Sequence, residues 1–204
     1  MSLRSWLRPR LLDLALRQMD DLRGATVGQA AGEVLEIGFG TALNVAHYGP
    51  ALKSLVALDP EIPVDYAPVA ARIAAARFPI ERADLRADRT LPFDTGRFDC
   101  IVSTWTLCSI PEVGAALGEL RRVLKPGGRF LFVEHGRSAS PRTARWQDRL
   151  NPLWVRISDG CNMNRAIDAL VEGAGFRLVS IDRFRHRGPG VLAQMYRGVA
   201  QPAS

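Results

Sequence analysis

The sequence predicts a single α/β domain built on a mostly parallel sheet. Strand-like and helix-like segments alternate through most of the 204 residues, and a glycine turn follows the first strand-like segment. Alternation of this kind is typical of parallel sheets, in which helices connect successive strands. No long helix-like segment lies between the last two strand-like segments; "HRGPG" lies there instead, a spacing that suits a hairpin. We therefore expect the final strand to be antiparallel.

The expected strands are short apolar runs bounded by turn residues. They are "EVLEI", "SLVALD", "IERAD", "FDCIVSTW", "GRFLFVEH", "FRLVSIDR" and "MYRGVA". The expected helices lie around Leu11–Leu22, Leu43–His47, Tyr66–Arg77, Val113–Leu124, Thr143–Leu153 and Asn164–Ala174. Pro9 should confine the first helix to the residues after it, and "LKPGG" should stop a helix and turn into the next strand.

Composition indicates an ordinary globular protein, with 47% apolar and 24% charged residues. No apolar run approaches the roughly 20 residues that span a bilayer, and no secretory signal is evident. The net charge of +6 comes from 27 basic and 21 acidic residues. Only "RFRHRGPG" is densely basic, so we expect a solvated surface rather than a nucleic-acid interface.

Three cysteines, Cys100, Cys108 and Cys161, occur without a CxxC pair, and the three histidines are scattered along the chain. An odd number of unpatterned cysteines favours a reducing, cytoplasmic location over a disulfide framework. The spacing also predicts no metal site.

The glycine turn lies in "EVLEIGFGTAL", residues 33–43. Gly38 and Gly40 let the backbone bend tightly and let a ligand approach without meeting a Cβ atom. Backbone N–H groups at the following helix start suit a carboxylate or phosphate. Leu43 replaces the third glycine of a dinucleotide loop, which weighs against a nicotinamide-dependent oxidoreductase.

Acidic residues follow the second and third predicted strands. Asp59 lies 19 residues after Gly40, where nucleoside-binding folds place the residue that accepts bonds from ribose hydroxyls; a strand-end turn former is the alternative. Asp84 in "RADL" could bond an adenine amino group, and Asp88 and Asp94 are alternatives to it.

The fourth predicted strand delivers Thr104, Trp105 and Leu107 to the carboxyl edge of the sheet. Open α/β sheets bind ligands at this edge. Core packing is the alternative for the two apolar residues.

Five segments share an order and spacing: "VLEIGFGTA", "ALD", "ADL", "FDCIVSTWTL" and "RRVLKPGGRFLFVEH". Together they resemble the class I S-adenosylmethionine-dependent methyltransferases with a methyltransferase type 11 domain, over about residues 33–200. The resemblance implies a Rossmann-like, seven-stranded, mostly parallel sheet with an antiparallel last strand and helices on both faces. It also implies S-adenosylmethionine as the cofactor.

The resemblance assigns the cofactor-binding residues by role. Glu36, Gly38 and Gly40 would hold the methionine end near Thr104, Asp59 the ribose, and Asp84 with Leu85 the adenine. The complete implied set is Glu36, Gly38, Phe39, Gly40, Asp59, Asp84, Leu85, Thr104 and Leu107. Phe39 and Ala42 depart from the commoner "GCGTG" of the family.

A narrower likeness concerns the second half of the chain. "LCSI", "LKPGG", "EH", "W…LNPLW" and "DGCN" look like the methyltransferase-like thiol methyltransferases of animals. This likeness implies methylation of a small, apolar acceptor, with a thiol as the first choice. The alternatives are a phospholipid or quinone-type N-, O- or C-methyltransferase and a non-catalytic S-adenosylmethionine-binding module. The membrane anchor of the animal proteins is not expected here.

His135 and Asp159 are the predicted catalytic residues on the acceptor side, within or beside the insertion Trp146–Arg165. A structural histidine and a turn-forming "DG" are the respective alternatives. Cys161 suits a buried structural cysteine better than a covalent nucleophile.

Residues 1–204 are expected to form one methyltransferase domain, with a lid in 1–24, a cofactor half in 25–135 and a substrate half in 136–204. The N-terminal segment could instead lie on a membrane surface as a basic amphipathic helix. The expected partner is a small-molecule methyl acceptor, not a nucleic acid.

Overall fold

A computed structural model describes residues 3–59, 62–85, 90–158 and 160–203. Its strands form one seven-stranded sheet: β1 Gly32–Ile37, β2 Leu52–Leu58, β3 Ile80–Ala83, β4 Phe98–Thr104, β5 Leu124–His135, β6 Phe176–Arg185 and β7 Gln194–Pro202. The strand order is β3-β2-β1-β4-β5-β7-β6. β7 runs antiparallel to β5 and β6, whereas the pairs among β1 to β5 are parallel. The predicted fold class is confirmed.

The helices are α1 Leu3–Leu16, α2 Asp20–Val27, α3 Ala67–Ala74, α4 Val113–Val123, α5 Pro141–Ile157 and α6 Ile167–Gly173. The last four lie close to their predicted positions, whereas two helices replace the single one predicted at Leu11–Leu22. The predicted segment Leu43–His47 is a short 3₁₀ helix. Among the described helices, none combines the length and apolarity that crossing a bilayer requires.

Pro9 does not confine the first helix, so that prediction is wrong. α1 runs through Pro9 and ends at Leu16, and a 3₁₀ turn at Arg17–Met19 joins it to α2. An interior proline removes one backbone hydrogen bond and crowds the preceding turn, which weakens or kinks a helix without forbidding it.

The segment "LKPGG" differs from its prediction in one respect. α4 ends at Val123 as expected, but β5 begins at Leu124 and includes the proline and both glycines. The ladder with β4 then pairs Phe98 with Leu124 and Cys100 with Arg129. Because one residue of β4 lies between these two pairs and four residues of β5 do, the segment bulges out of the sheet.

The central strands of the sheet are buried on both faces, as is typical of parallel sheets covered by helices. One face carries the core residues Ile101, Phe130 and Phe132, which pack with residues of α4 and α6. The opposite face carries Val102 and Leu131, which pack with residues of α2 and α3. Alternate residues of β4 and β5 therefore serve the two faces, and the carboxyl ends of these strands meet at one edge.

Candidate functional site

The predicted site residues gather at the carboxyl ends of β1, β2 and β4. From β1 the chain passes to β2 on one side, while β4 lies on the other side. A reversal of strand order of this kind opens a crevice at the carboxyl edge, where open α/β sheets bind ligands. Glu36, Asp59 and Thr104 all lie at or beside this crevice.

The glycine turn after β1 is tight and partly open. Gly38, Gly40 and Ala42 have φ angles of +71°, +54° and 62°, a backbone region that favours glycine. A Cβ atom on Gly38 would lie 1.9 Å from Oγ1 of Thr106, so only glycine fits there. A Cβ atom on Gly40 would meet only the Gly38 carbonyl oxygen at 3.8 Å, which leaves space for a ligand.

Asp59 is joined to the glycine turn by a direct hydrogen bond. The backbone N–H of Gly40 donates to Oδ2 of Asp59 at 2.8 Å. The carboxylate at the end of β2 and the turn after β1 therefore form one surface of the crevice.

Glu36 is buried at the end of β1 and is the hub of a polar network. Its Oε1 accepts a bond from Nδ2 of Asn44 at 2.7 Å, and its Oε2 accepts one from the Tyr48 hydroxyl at 2.6 Å. The Asn44 amide also donates to Oγ1 of Thr104 at 3.1 Å. Burial raises the pKa of Glu36 to about 7, although Tyr48, Asn44 and Arg23 oppose this change.

Arg23 on α2 joins this network from the N-terminal segment. Its guanidinium donates to Oδ1 of Asn44 at 2.5 Å and lies 4.9 Å from the centre of the Trp105 ring. Burial lowers the pKa of Arg23, and the charge of Glu36 acts in the opposite direction. Trp105 itself has a φ angle of +53°, which is rare for a bulky residue. Arg23 and Asn44 are not among the site residues predicted from the sequence.

Asp13 ties α1 to the same region. It is 3% exposed and accepts two bonds from the Arg72 guanidinium, at 2.9 and 2.7 Å. Arg72 also donates to the carbonyl oxygen of Thr41 in the glycine turn at 2.6 Å. The Arg72 side chain therefore connects α1 with the glycine turn. The only sequence signal was an acid inside the apolar run "LLDLAL".

The remaining predicted cofactor residues fall into two groups. Phe39 and Leu107 are buried in the core, on opposite faces of the sheet. Asp84 and Leu85 follow β3 and are exposed at the same edge as the glycine turn. The structure thus joins Glu36 to Thr104 and Gly40 to Asp59 through hydrogen bonds, while the roles of these four residues stay predictions.

Glu134 is a second fully buried carboxylate, at the end of β5. It accepts bonds from the Ser103 hydroxyl at 2.7 Å, the Thr106 N–H at 3.0 Å and the Cys108 N–H at 3.4 Å. Burial raises the pKa of Glu134, and these donors oppose it. Glu134 thereby fixes the loop that follows β4.

His135 lies beside Cys108 and Cys161. The potential ligand atoms of these three side chains all lie within 4.8 Å of one another, and the two sulfur atoms are 3.4 Å apart. The Cys108 thiol lowers the pKa of the Cys161 thiol, and His135 adds to this effect against the opposing effect of burial. Asp159, the other predicted catalytic residue, lies outside the described residues.

The acceptor-side insertion is fastened to the carboxyl ends of β4 and β5. Asn162 donates through its side-chain amide to the Cys108 carbonyl at 3.1 Å. Gln147 on α5 is fully buried and donates to the carbonyls of Gly136 and Met163 at 3.1 and 2.8 Å. Buried amides are stable only with such partners, so the insertion has a defined position.

Comparisons with known proteins agree with this architecture. The sequence model of a methyltransferase domain matches residues 35–132. Mouse thiol S-methyltransferase TMT1B is 31% identical over 169 residues, covering 81% of this chain and 67% of that protein. Human thiol S-methyltransferase TMT1A is 30% identical over 154 residues, covering 74% of this chain and 63% of that protein. The chain thus spans about two thirds of the length of these relatives.

A solved structure extends the similarity to the fold. The S-adenosylmethionine dependent methyltransferase from Mesorhizobium loti superposes with a TM-score of 0.63 over 90% of this chain and 97% of that chain, at 15% identity. The mouse relative, together with the matched domain, shows that the chain belongs to the S-adenosylmethionine-dependent methyltransferase family.

Proposed function

We propose that the protein transfers the methyl group of S-adenosylmethionine to a small, apolar thiol. The observation that supports this acceptor most directly is the position of the insertion Trp146–Arg165, which carries the likeness to thiol methyltransferases. Its hydrogen bonds to Cys108 and Gly136 hold it over the carboxyl ends of β4 and β5. That position is next to the cofactor crevice, where an acceptor has to enter.

The residues of the crevice fit the proposed cofactor. S-adenosylmethionine carries an ammonium group, a ribose and an already activated methyl group on a sulfonium. The buried carboxylate of Glu36 suits the ammonium group, and the open space beside Gly40 admits the chain without a steric clash. Asp59 is assigned to the ribose hydroxyls, and the exposed pair Asp84 and Leu85 to the adenine.

A thiol acceptor does not require a strong general base from the protein. Thiols are partly ionised near neutral pH, and the thiolate is the nucleophile. The main task is to hold the acceptor in line with the reacting methyl carbon, a form of catalysis by proximity. We assign acceptor contact to His135, and Asp159 remains a predicted contributor.

The N-terminal segment is assigned the role of a lid over the cofactor. Asp13 and Arg23 support this role, since they attach α1 and α2 to the glycine turn and to Trp105. In the alternative membrane-surface role, the exposed leucines of α1 would contact the membrane. Leu11 is 55% exposed and Leu14 is 67% exposed.

The first prediction concerns the ribose assignment. Asp59→Ala should weaken binding of S-adenosylhomocysteine by about 1–3 kcal/mol, or about 5- to 150-fold, because the ribose hydroxyls lose a charged partner. Isothermal titration calorimetry measures this change. Asp65→Ala, an exposed acid in the loop after β2, is the matched control and should bind as the wild type does. Unchanged affinity in Asp59→Ala would refute the assignment.

The second prediction concerns pH. The pKa of Glu36 is about 7 in the free protein, and a bound ammonium group favours its ionised form. Binding therefore releases a proton below that pKa, so the affinity for S-adenosylhomocysteine should rise as pH increases toward 7 and then level off. The slope approaches about tenfold per pH unit well below the pKa. Titrations between about pH 5.5 and about 7.5 test this, and Glu36→Gln should show no such slope. An equal slope in both proteins contradicts the assignment.

The third prediction tests the lid. S-adenosylhomocysteine should slow tryptic cleavage of the N-terminal helices in the wild-type protein, because the ligand holds the lid closed. Asp13→Ala removes the partner of Arg72 and should abolish most of this protection, while the exposed acid Asp21→Ala should retain it. Protection by S-adenosylhomocysteine that is unchanged in Asp13→Ala would contradict the lid. Protection by anionic vesicles alone would favour the membrane-surface role instead.

The fourth prediction identifies the acceptor class. Turnover should occur with alkyl and aryl thiols and be much slower with matched amines and phenols, because thiols ionise most readily near neutral pH. A quinol and phosphatidylethanolamine vesicles complete the panel, with formation of S-adenosylhomocysteine as the readout. Activity confined to the quinol or the lipid would replace the thiol proposal. Cofactor binding with no turnover on any acceptor would favour the non-catalytic module.

A further inference from the structure

Three side chains with metal-binding chemistry converge on the acceptor side of the crevice. Cys108 follows β4, His135 ends β5, and Cys161 lies in the insertion after α5. Their potential ligand atoms lie within 4.8 Å of one another, and the two sulfur atoms are 3.4 Å apart. Tetrahedral ligands at the usual zinc distances are separated by about 3.5–3.8 Å. The cluster therefore needs only small side-chain adjustments to surround one ion.

The backbone around the cluster is fixed by hydrogen bonds from several elements. The Cys108 N–H donates to Glu134, and the Cys108 carbonyl accepts bonds from the backbone and side chain of Asn162, at 2.8 and 3.1 Å. His135 is held in the β5–β7 ladder opposite Met195. Asn162 directly follows Cys161, so its two bonds also fix the insertion to the loop after β4.

The surroundings of the cluster supply compensating charge and an opening. Arg165 donates to the carbonyls of Leu107 and Ile110, and its guanidinium is close enough to interact electrostatically with both thiols. Cys108 is 1% exposed, whereas His135 and Cys161 are only partly buried. One side of the cluster therefore remains accessible to a small molecule.

We propose that Cys108, His135 and Cys161 form a zinc site with three protein ligands and an open fourth position that binds the acceptor thiol. Two thiolates and one imidazole are a donor set that zinc favours, and three protein ligands with one exchangeable position are typical of catalytic zinc. The spacing of cysteines and histidines in the sequence predicted no metal site. The proposal replaces that prediction, because the fold brings together residues that are far apart in sequence.

The acceptor role of this site rests on the proposed function. A thiol that binds zinc loses its proton to solvent and remains a thiolate, since the metal stabilises the anion. In the transfer, the acceptor sulfur forms a bond to the methyl carbon as the donor carbon–sulfur bond breaks, and that electron pair stays on the donor sulfur. The oxidation state of zinc does not change. The product is a neutral thioether, a weaker ligand that can leave.

Cobalt substitution tests the site without relying on activity. We expect the reduced, metal-free protein to bind one Co²⁺ per chain, with thiolate-to-cobalt charge-transfer absorption and visible bands of tetrahedral coordination. Cys161→Ser should lose about half of the charge-transfer intensity, because one of two thiolates remains, and His135→Gln should bind Co²⁺ more weakly with only two protein ligands left. Cys100→Ala removes a buried thiol elsewhere on β4 and should match the wild type.

Further measurements distinguish a lost metal site from a misfolded protein and from a failure of the proposed function. Each variant should retain binding of S-adenosylhomocysteine, which shows that the domain is folded. Benzyl mercaptan should shift the visible cobalt bands, whereas its methyl thioether should not. Normal binding of S-adenosylhomocysteine with no Co²⁺ binding, or with a Cys108–Cys161 disulfide forming in place of a metal site, overturns the zinc proposal and leaves the proposed function standing. Visible cobalt bands that do not shift when benzyl mercaptan is added overturn the proposal that the site binds the acceptor thiol.

Discussion

The buried carboxylate of Glu36 imposes the constraint on which the cofactor side of the structure depends. A carboxylate removed from water is costly unless hydrogen bonds compensate it. Asn44 and Tyr48, from the segment after the glycine turn, provide those bonds. Asn44 then also bonds Thr104 on β4 and Arg23 on α2, so four elements of the fold converge on a single acid. The position of the glycine turn relative to β4 follows from this network.

A second buried carboxylate plays the corresponding part on the acceptor side. Glu134 lies at the end of β5, on the sheet face opposite to Glu36. It binds the loop after β4 through two backbone N–H groups and also accepts a bond from Ser103 on β4. Glu134 therefore holds the β4 loop directly, whereas the Glu36 network reaches the end of β4 through Asn44 and Thr104. The first residue of the loop, Trp105, adopts a positive φ angle that is tolerated only because surrounding contacts fix the backbone. In our account this loop borders both the cofactor site and the acceptor site.

The sequence predicted those features that depend on local patterns. Short apolar runs located all seven strands, and the "HRGPG" connection predicted the antiparallel β7. The 19-residue spacing drew attention to Asp59, which bonds the glycine turn, while its ribose role stays a prediction. Features that depend on contacts between distant parts of the chain were not predicted. Cys108 and Cys161 are 53 residues apart and meet only because the insertion folds back onto the β4 loop. Likewise, nothing local indicates that Asp13 binds Arg72 and so holds α1 against the glycine turn.

The central claim is that the β4 loop borders two adjoining sites, a cofactor site beside Glu36 and a thiol-binding metal site at His135. A crystal structure with S-adenosylhomocysteine, with anomalous scattering recorded at the zinc edge, tests it most directly. The account predicts the ligand amino group beside Glu36, its sulfur facing the β4 loop, and one zinc peak among Cys108, His135 and Cys161. A ligand sulfur directed away from His135, or no zinc peak in a zinc-soaked crystal, would contradict the account.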